Sequence, residues 1–156
     1  MAKSLVISNE AIENRIKKLI EKRNEMINVL DDTHVKLQRG NRKTGANCWT
    51  VSLAPIIDCV NCSGCKGQCY DIRNDVIYPS VVADRARNSA IHKYEPTRYW
   101  DEIDQQIKAN FVTELRLNVG GDLADYDFHY VAELGRKNPK TMILFFTKNY
   151  DGINNS

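Results

Sequence analysis

Residues 114–122 read ELRLNVGGD, and this stretch decides the fold. Polar and apolar residues alternate from Glu114 to Val119, as they do in a strand that buries one face. Gly120, Gly121 and Asp122 then end the strand abruptly. A helical pattern follows from about Tyr126 to Lys137, and residues 141–146, TMILFF, form a nearly continuous apolar run. Such a run is typical of a parallel strand covered on both faces, so the segment predicts a βαβ unit.

The preceding part of the chain adds one strand and three helices. Residues 48–53, CWTVSL, form a β-type run that Pro55 ends. Residues 31–45 are rich in Gly, Asn and basic residues and are predicted to be a loop. Apolar side chains recurring at helical spacing predict helices from Ser8 or Asn9 to about Leu30, from Ser80 or Val81 to Tyr94, and from Thr97 to Asn110.

Together these elements predict an α/β fold with a partial (βα) barrel-like parallel sheet of about three or more strands and an N-terminal amphipathic helix. Residues 1–46 would form that helix and a basic loop, and residues 47–156 an α/β domain, the two making one compact unit. In parallel sheets, the functional residues usually lie on loops at the carboxyl ends of the strands. The loop after the first predicted strand and Gly120-Gly121-Asp122 should therefore meet at one edge.

That loop contains four cysteines in the sequence CVNCSGCKGQC: Cys59, Cys62, Cys65 and Cys69. Thiolates are strong ligands for iron, and the C-x2-C-x2-C-x3-C spacing is the one that bacterial ferredoxins use for four-iron clusters. The match is imperfect, because in ferredoxins the fourth cysteine usually precedes Pro and binds a partner cluster, whereas Tyr70 follows here and no second run exists. The small residues between the cysteines, Asn61, Ser63, Gly64 and Gly67, allow the backbone to wrap around a centre. The loop is therefore predicted to hold a four-iron four-sulfur cluster.

Two other interpretations of the cysteines stay open. Structural zinc uses the same ligand type, although zinc modules normally separate two cysteine pairs by a longer insert. Disulfides or free thiols are the remaining alternative, and the fifth cysteine, Cys48, leaves an odd number that could supply a ligand in place of Cys69. Because no apolar signal segment is seen near the N-terminus, we expect a reducing, cytoplasmic location.

Composition excludes few partners. Charged residues make up 27% of the chain and leave a formal charge of +2, which is too mild to argue for nucleic acid by itself. A short basic cluster in the predicted loop (Lys36, Arg39, Arg42 and Lys43) is expected to be solvated, with contact to nucleic acid as the weaker interpretation. No apolar stretch approaches the roughly 20 residues of a membrane span.

The chain from Asn47 to Lys148 resembles radical S-adenosylmethionine enzymes and, more closely, the phage family called "gene product 88". The resemblance lies in the cysteine loop ending in Cys69-Tyr70, in the strand ending in Gly120-Gly121-Asp122, and in the strand ending in Thr147-Lys148. It implies a four-iron cluster held by three cysteines, with S-adenosylmethionine on the open iron. Gly120, Gly121 and Asp122 match the superfamily's Gly-Gly-Glu segment, which receives the methionine amino group.

A fourth nearby thiol would close the open iron, so this chain is expected to be a binding or regulatory module towards a host or phage protein. The radical enzyme is the alternative, and no catalytic residue is assigned. A homodimer that covers the exposed sheet edge is also expected.

Several polar side chains outside the cysteine loop are weaker candidates. His92 is expected to be an ordinary surface histidine. Arg85, Arg87 and Asn88 are expected either to face the cluster or to lie on a solvated helix face. His129, near the strand-end edge, could take part in acid–base chemistry. Lys148 could reach the same edge, although a solvated lysine is the simpler expectation.

Overall fold

The computed structural model describes residues 8–41, 45–62 and 65–156. It contains one four-stranded sheet in the order β1-β2-β3-β4. The strands are β1 (Gln38–Asn41), β2 (Gly45–Val51), β3 (Glu114–Leu117) and β4 (Met142–Leu144). β1 is antiparallel to β2, whereas β2, β3 and β4 run parallel. The α/β class and the mostly parallel sheet are therefore confirmed.

The described residues form six α-helices: α1 (Asn9–Ile27), α2 (Tyr70–Ile77), α3 (Pro79–Tyr94), α4 (Pro96–Ala109), α5 (Asp127–Lys137) and α6 (Tyr150–Asn154). The expected N-terminal cap is present, since the Ser8 hydroxyl accepts a hydrogen bond from the Ala11 amide. A proline begins both α3 and α4, where its missing N–H costs no helical hydrogen bond. The predicted helices α1, α3, α4 and α5 are confirmed to within a few residues.

Of these elements, β1, α2 and α6 were not predicted. β1 lies inside residues 31–45, which were expected to be a loop, and it forms because the polar segment Gln38–Asn41 pairs with β2. α2 follows directly on the cysteine loop. Arg42 and Lys43 of the predicted basic cluster lie outside the described residues, and so do Ser63 and Gly64, two of the small residues between the cysteines.

The main core lies between one face of the sheet and helices α4 and α5. Leu115 and Leu117 of β3 are each 1% exposed and pack with Ile103 of α4 and Leu134 of α5. The opposite face is not covered in the same way: Met142 and Leu144 of β4 are 60% and 44% exposed. The prediction that residues 141–146 are covered on both faces is therefore wrong, because β4 is the edge strand and the helices cover one face only.

A second apolar cluster joins α1 to the cysteine loop. It consists of Ile12, Ile16, Leu19, Ala54, Ile72 and Val82, with Ile56, Ile57 and Cys69 packed against it. Lys66 of the loop pairs with Glu13 of α1 at 2.7 Å, and Arg23 of α1 approaches Asp58 at 3.4 Å. The N-terminal helix therefore covers the outside of the cysteine loop.

The side chain of Asn88 ties α3 to the strand ends and is not on a solvated face. Its Oδ1 accepts from the Lys36 amide at 2.8 Å, and its Nδ2 donates to the carbonyls of Lys36 and Ser52. Asn88 is only 2% exposed. It points neither to solvent nor to the cysteines, because it satisfies backbone groups that the sheet leaves unpaired.

No helix in the described part of the chain is long and apolar enough to cross a bilayer.

Candidate functional site

The cysteine loop leaves the carboxyl end of β2 and returns to the sheet edge at α2. Its turns are held by backbone hydrogen bonds from Cys59 to Ile56, from Cys65 to Cys62 and from Cys69 to Lys66. Ile56 has a φ of 71°, an uncommon conformation for a branched residue that marks a sharp turn here. The Ile56 amide donates to the Cys59 sulfur at 3.3 Å. Backbone amides aimed at sulfur are typical of iron–sulfur sites.

All four loop cysteines are partly buried, and none of them is in a disulfide. Cys59 and Cys62 interact electrostatically with each other and with Cys69. Burial raises the pKa of the Cys59 thiol to about 12, and the charges of Cys62, Cys69 and Asp122 add to the shift. Burial also raises the pKa of Cys62, with a further contribution from Cys65. These thiols therefore keep their protons at neutral pH unless a bound cation displaces them.

The sulfurs do not form a preformed site for a single ion. Within residues 8–41, 45–62 and 65–156, no three His, Cys, Asp or Glu side chains are placed to hold one metal ion. A tetrahedral zinc site needs its ligands to converge on one point. In a four-iron cluster each cysteine binds a different iron, so its ligands surround a larger body.

Cys48 is separate from the other four cysteines. It lies on β2 opposite Glu114, at the amino end of β3, and its sulfur lies 3.8 Å from the Trp49 carbonyl oxygen. Cys59, Cys65 and Cys69 line a cavity beyond the opposite ends of these strands, and Cys48 does not. The structure thus separates Cys48 from the loop cysteines.

Gly120 and Gly121 bring the end of β3 against the start of the cysteine loop. The Leu53 amide donates to the Gly120 carbonyl, and the Asp122 amide donates to the Asp58 carbonyl, each at 2.9 Å. Gly121 has a φ of 80°, and a Cβ there would lie 2.6 Å from the Leu53 Cβ. The two predicted features therefore meet at the carboxyl edge, and the glycines permit close contact between them.

The Asp122 carboxylate is held by backbone groups. One oxygen accepts from the Leu123 amide at 2.7 Å and the other from the Lys148 amide at 2.9 Å. Asp122 is 7% exposed and joins the end of β3 to the segment after β4. The cysteine loop is tied to the same segment after β4, because the side-chain Nδ2 of Asn61 donates to the Lys148 carbonyl at 2.7 Å.

An ion pair beneath the loop was not predicted. Arg85 of α3 donates to Asp71 Oδ1 of α2 at 2.7 Å, and both side chains are less than a tenth exposed. Burial raises the pKa of Asp71, while the charges and hydrogen bond of Arg85 oppose that shift. Of the two positions expected for Arg85, the solvated helix face is wrong, because Arg85 is buried and pairs with Asp71 in the first turn of α2. Arg87 pairs with Asp84 on a partly exposed surface.

Lys148 lies above the cysteines with its side chain in solvent. A side-chain hydrogen bond to Cys65 raises the pKa of Lys148, and electrostatic interactions with Cys65, Cys59 and Cys62 add to the effect. The ammonium group is therefore close enough to neutralise part of the negative charge that the loop would carry with its thiols ionised.

The cavity at this edge has a volume of about 440 Å³. The cysteine loop forms one side, Gly120, Gly121 and Asp122 form the floor, and Phe146, Thr147 and Lys148 form the other side. Arg116 on the open face of β3, Asn118 just after the end of that strand and Asp71 of α2 complete the lining, and these three residues are called the wall. Sequence patterns gave no sign of this wall, because a single arginine and a single asparagine on a strand are common.

His92 is buried, contrary to the surface position expected for it. It is 5% exposed, and its Nε2 lies 2.8 Å and 2.9 Å from the two carboxylate oxygens of Asp127. Trp100 Nε1 also donates to Asp127, at 3.0 Å. This cluster links α3, α4 and α5 and stabilises the core. His129, in contrast, is exposed on α5 beside Tyr130.

The fold and site define a mostly parallel α/β protein with a cysteine-lined cavity at the carboxyl edge of its sheet. The profile of one protein family, described as Gene product 88, matches residues 21–155. The chain therefore belongs to this phage protein family. The comparisons found no matching curated protein and no matching solved structure.

Replacement of Gly121 by Ala is expected to lower the free energy of unfolding by roughly 2–4 kcal/mol. Alanine would have to keep the left-handed backbone conformation of Gly121, and its methyl group would overlap Leu53. Urea denaturation of both proteins measures the difference. Gly135→Ala is the matched control: a Cβ there has no neighbour within 4 Å, and alanine favours the helix, so its stability should rise slightly. Equal effects of the two variants would contradict the close contact.

Proposed function

We propose that Cys59, Cys62, Cys65 and Cys69 hold a four-iron four-sulfur cluster, and that the protein is a cluster-stabilised binding module. The observation that carries the proposal is the grouping of four reduced sulfurs in one loop, with a backbone amide directed at the Cys59 sulfur. A bound cluster would supply both a structural link across the loop and the capacity to accept one electron.

Iron is preferred to zinc for two reasons. The C-x2-C-x2-C spacing of Cys59, Cys62 and Cys65 is the spacing with which ferredoxins bind one cluster, whereas zinc modules use two separated pairs. In addition, the described side chains include no group that converges on a single ion. A cluster needs no such point of convergence, because every cysteine binds its own iron atom.

A radical enzyme that uses S-adenosylmethionine is the second candidate. The cavity beside Cys59, Cys65 and Cys69 favours it, since a small molecule could approach the cluster there. Against it, the Asp122 carboxylate already accepts two backbone hydrogen bonds, and Gly120 offers its carbonyl to Leu53. The groups expected to receive the methionine amino group thus have other partners. If the reduced protein cleaves S-adenosylmethionine, the radical enzyme becomes the preferred function and the binding module the second candidate.

We propose that the open face of the sheet, the face not covered by helices α4 and α5, is the partner-binding surface, and that a second copy of the chain binds there. Met142, Leu144 and Phe146 lie on this face at 60%, 44% and 68% exposure. β4 is the end of the strand order, so the backbone groups on its outer side can pair with another strand. A host or phage protein is the other occupant to be tested.

Replacement of each loop cysteine by serine is expected to reduce bound iron severely and to lower the thermal midpoint of the anaerobically purified protein. The reason is that the cluster links segments of the loop that have little apolar contact of their own. Cys48→Ser is the matched control and should keep the iron and midpoint of the parent chain. Iron analysis and calorimetry make the measurement. Full iron content in Cys59→Ser and Cys65→Ser, or the same loss in Cys48→Ser, would refute the ligand assignment.

Self-association predicts a dimer by light scattering at concentrations of about tens of micromolar. Leu144→Lys should give a monomer, because it places a charge on the open face of the edge strand. Phe111→Lys is the control, since Phe111 is 88% exposed but lies at the end of α4, outside that face. A parent chain that is monomeric throughout this range would exclude the second copy as the occupant.

A further inference from the structure

Three buried polar atoms around the cavity have no hydrogen-bond partner. They are Asp71 Oδ2, Arg116 Nε and Asn118 Nδ2. Only five such side-chain atoms occur in the described part of the chain, and all three of these residues line the same cavity. A buried donor or acceptor without a partner destabilises the folded protein, so a concentration of three at one place indicates a site that a ligand completes.

Each of the three groups is held in place by a different contact. The Arg116 guanidinium lies 5.8 Å from the centre of the Phe146 ring. Asp71 is held by Arg85 through its other oxygen, and its free oxygen lies against Gly120, where a Cβ would overlap it. Arg116 and Asp71 interact electrostatically, yet Asp71 Oδ2 and Arg116 Nε form no hydrogen bond with each other.

Asn118 is held by its backbone. Its amide donates to the Val51 carbonyl at 2.8 Å, and its φ is 52°, in the left-handed region. Asparagine tolerates this conformation better than most residues, but glycine adopts it at lower cost. Strained backbone of this kind persists where the surroundings fix it, and it clusters at ligand sites.

We propose that this wall binds a small organic acid whose carboxylate is flanked by an amino or hydroxyl group. Arg116 Nε and Asn118 Nδ2 are two N–H donors, and they match the two oxygens of a carboxylate. Asp71 Oδ2 is an acceptor, and it matches an N–H or O–H group next to that carboxylate. The site is distinct from the Asp122 carboxylate, whose oxygens already have backbone partners.

The entrance to the cavity determines what the rest of the ligand can be. Three exposed aromatic side chains line it: Tyr70, Phe146 and Tyr150, at 61%, 68% and 65% exposure. Aromatic groups at a partly wet surface favour contact with a flat apolar group. An aromatic side chain on the acid therefore suits the cavity, whose volume of about 440 Å³ accommodates a molecule of that size.

Three compounds with one carbon skeleton test the proposal: L-phenylalanine, L-3-phenyllactate and 3-phenylpropanoate. Saturation-transfer NMR on the full chain, purified anaerobically with the metal it carries, gives their relative affinities. We expect the amino acid, the hydroxy acid or both to bind at least about tenfold more tightly than phenylpropanoate, because only they offer a donor to Asp71. The relative affinity of the first two distinguishes an amino from a hydroxyl group. Equal affinity for all three, or no binding of any, would overturn the proposal.

Two variants locate the binding on the wall. Asn118→Gly removes the side-chain amide and relieves the backbone strain, so it should weaken binding while preserving or raising the thermal midpoint. Arg116→Gln should weaken binding of all three compounds by about tenfold or more, because it removes the charge that faces the carboxylate. Arg136→Gln is the control, since the Arg136 side chain is 71% exposed on α5. Unchanged affinity in both wall variants, or equal weakening in the control, would overturn the assignment. Binding that persists in a chain without iron would leave this site intact while removing the cluster.

Discussion

Close contact between the Gly120–Asp122 segment and the start of the cysteine loop is the constraint on which the site depends. Two backbone hydrogen bonds, from Leu53 to Gly120 and from Asp122 to Asp58, hold the loop against the carboxyl end of β3. The Asp122 carboxylate then binds the Lys148 amide and brings in the end of β4. Three segments distant in sequence are thus fixed around one cavity. The loop, with few apolar side chains of its own, takes its position from these bonds and from the cover of α1.

The sequence predicted the features that local patterns control. Helices α1, α3, α4 and α5 follow from the 3.6-residue spacing of their apolar side chains, and β3 follows from the alternation of Leu115 and Leu117 with polar neighbours. The meeting of the cysteine loop with Gly120 and Gly121 was also predictable. It is a geometric consequence of parallel strands, whose carboxyl ends lie at one edge.

The features that the sequence did not predict depend on contacts between distant residues. β1 is polar and becomes a strand only because β2 offers a pairing edge. β4 has the composition of a fully covered strand, yet its position at the edge leaves Met142 and Leu144 exposed. His92 and Asp127 are 35 residues apart, and nothing near either one indicates the buried pair that they form. The wall formed by Asp71, Arg116 and Asn118 was missed for the same reason, since its members come from a helix and a strand more than forty residues apart.

The proposed cluster site and the proposed organic-acid site lie on different sides of the same cavity. The loop would hold an electron-accepting centre on one side, and Arg116 with Asn118 would hold an acid on the other. Lys148 lies at the boundary, where its ammonium group faces the sulfur side.

The most direct measurement is an anaerobic absorbance spectrum combined with analysis of iron, zinc and acid-labile sulfide in the purified chain. The predicted result is a brown protein with about four irons and about four sulfides per chain and no stoichiometric zinc. One zinc per chain without sulfide, or a metal-free protein whose loop thiols all react with a thiol reagent, would contradict the cluster.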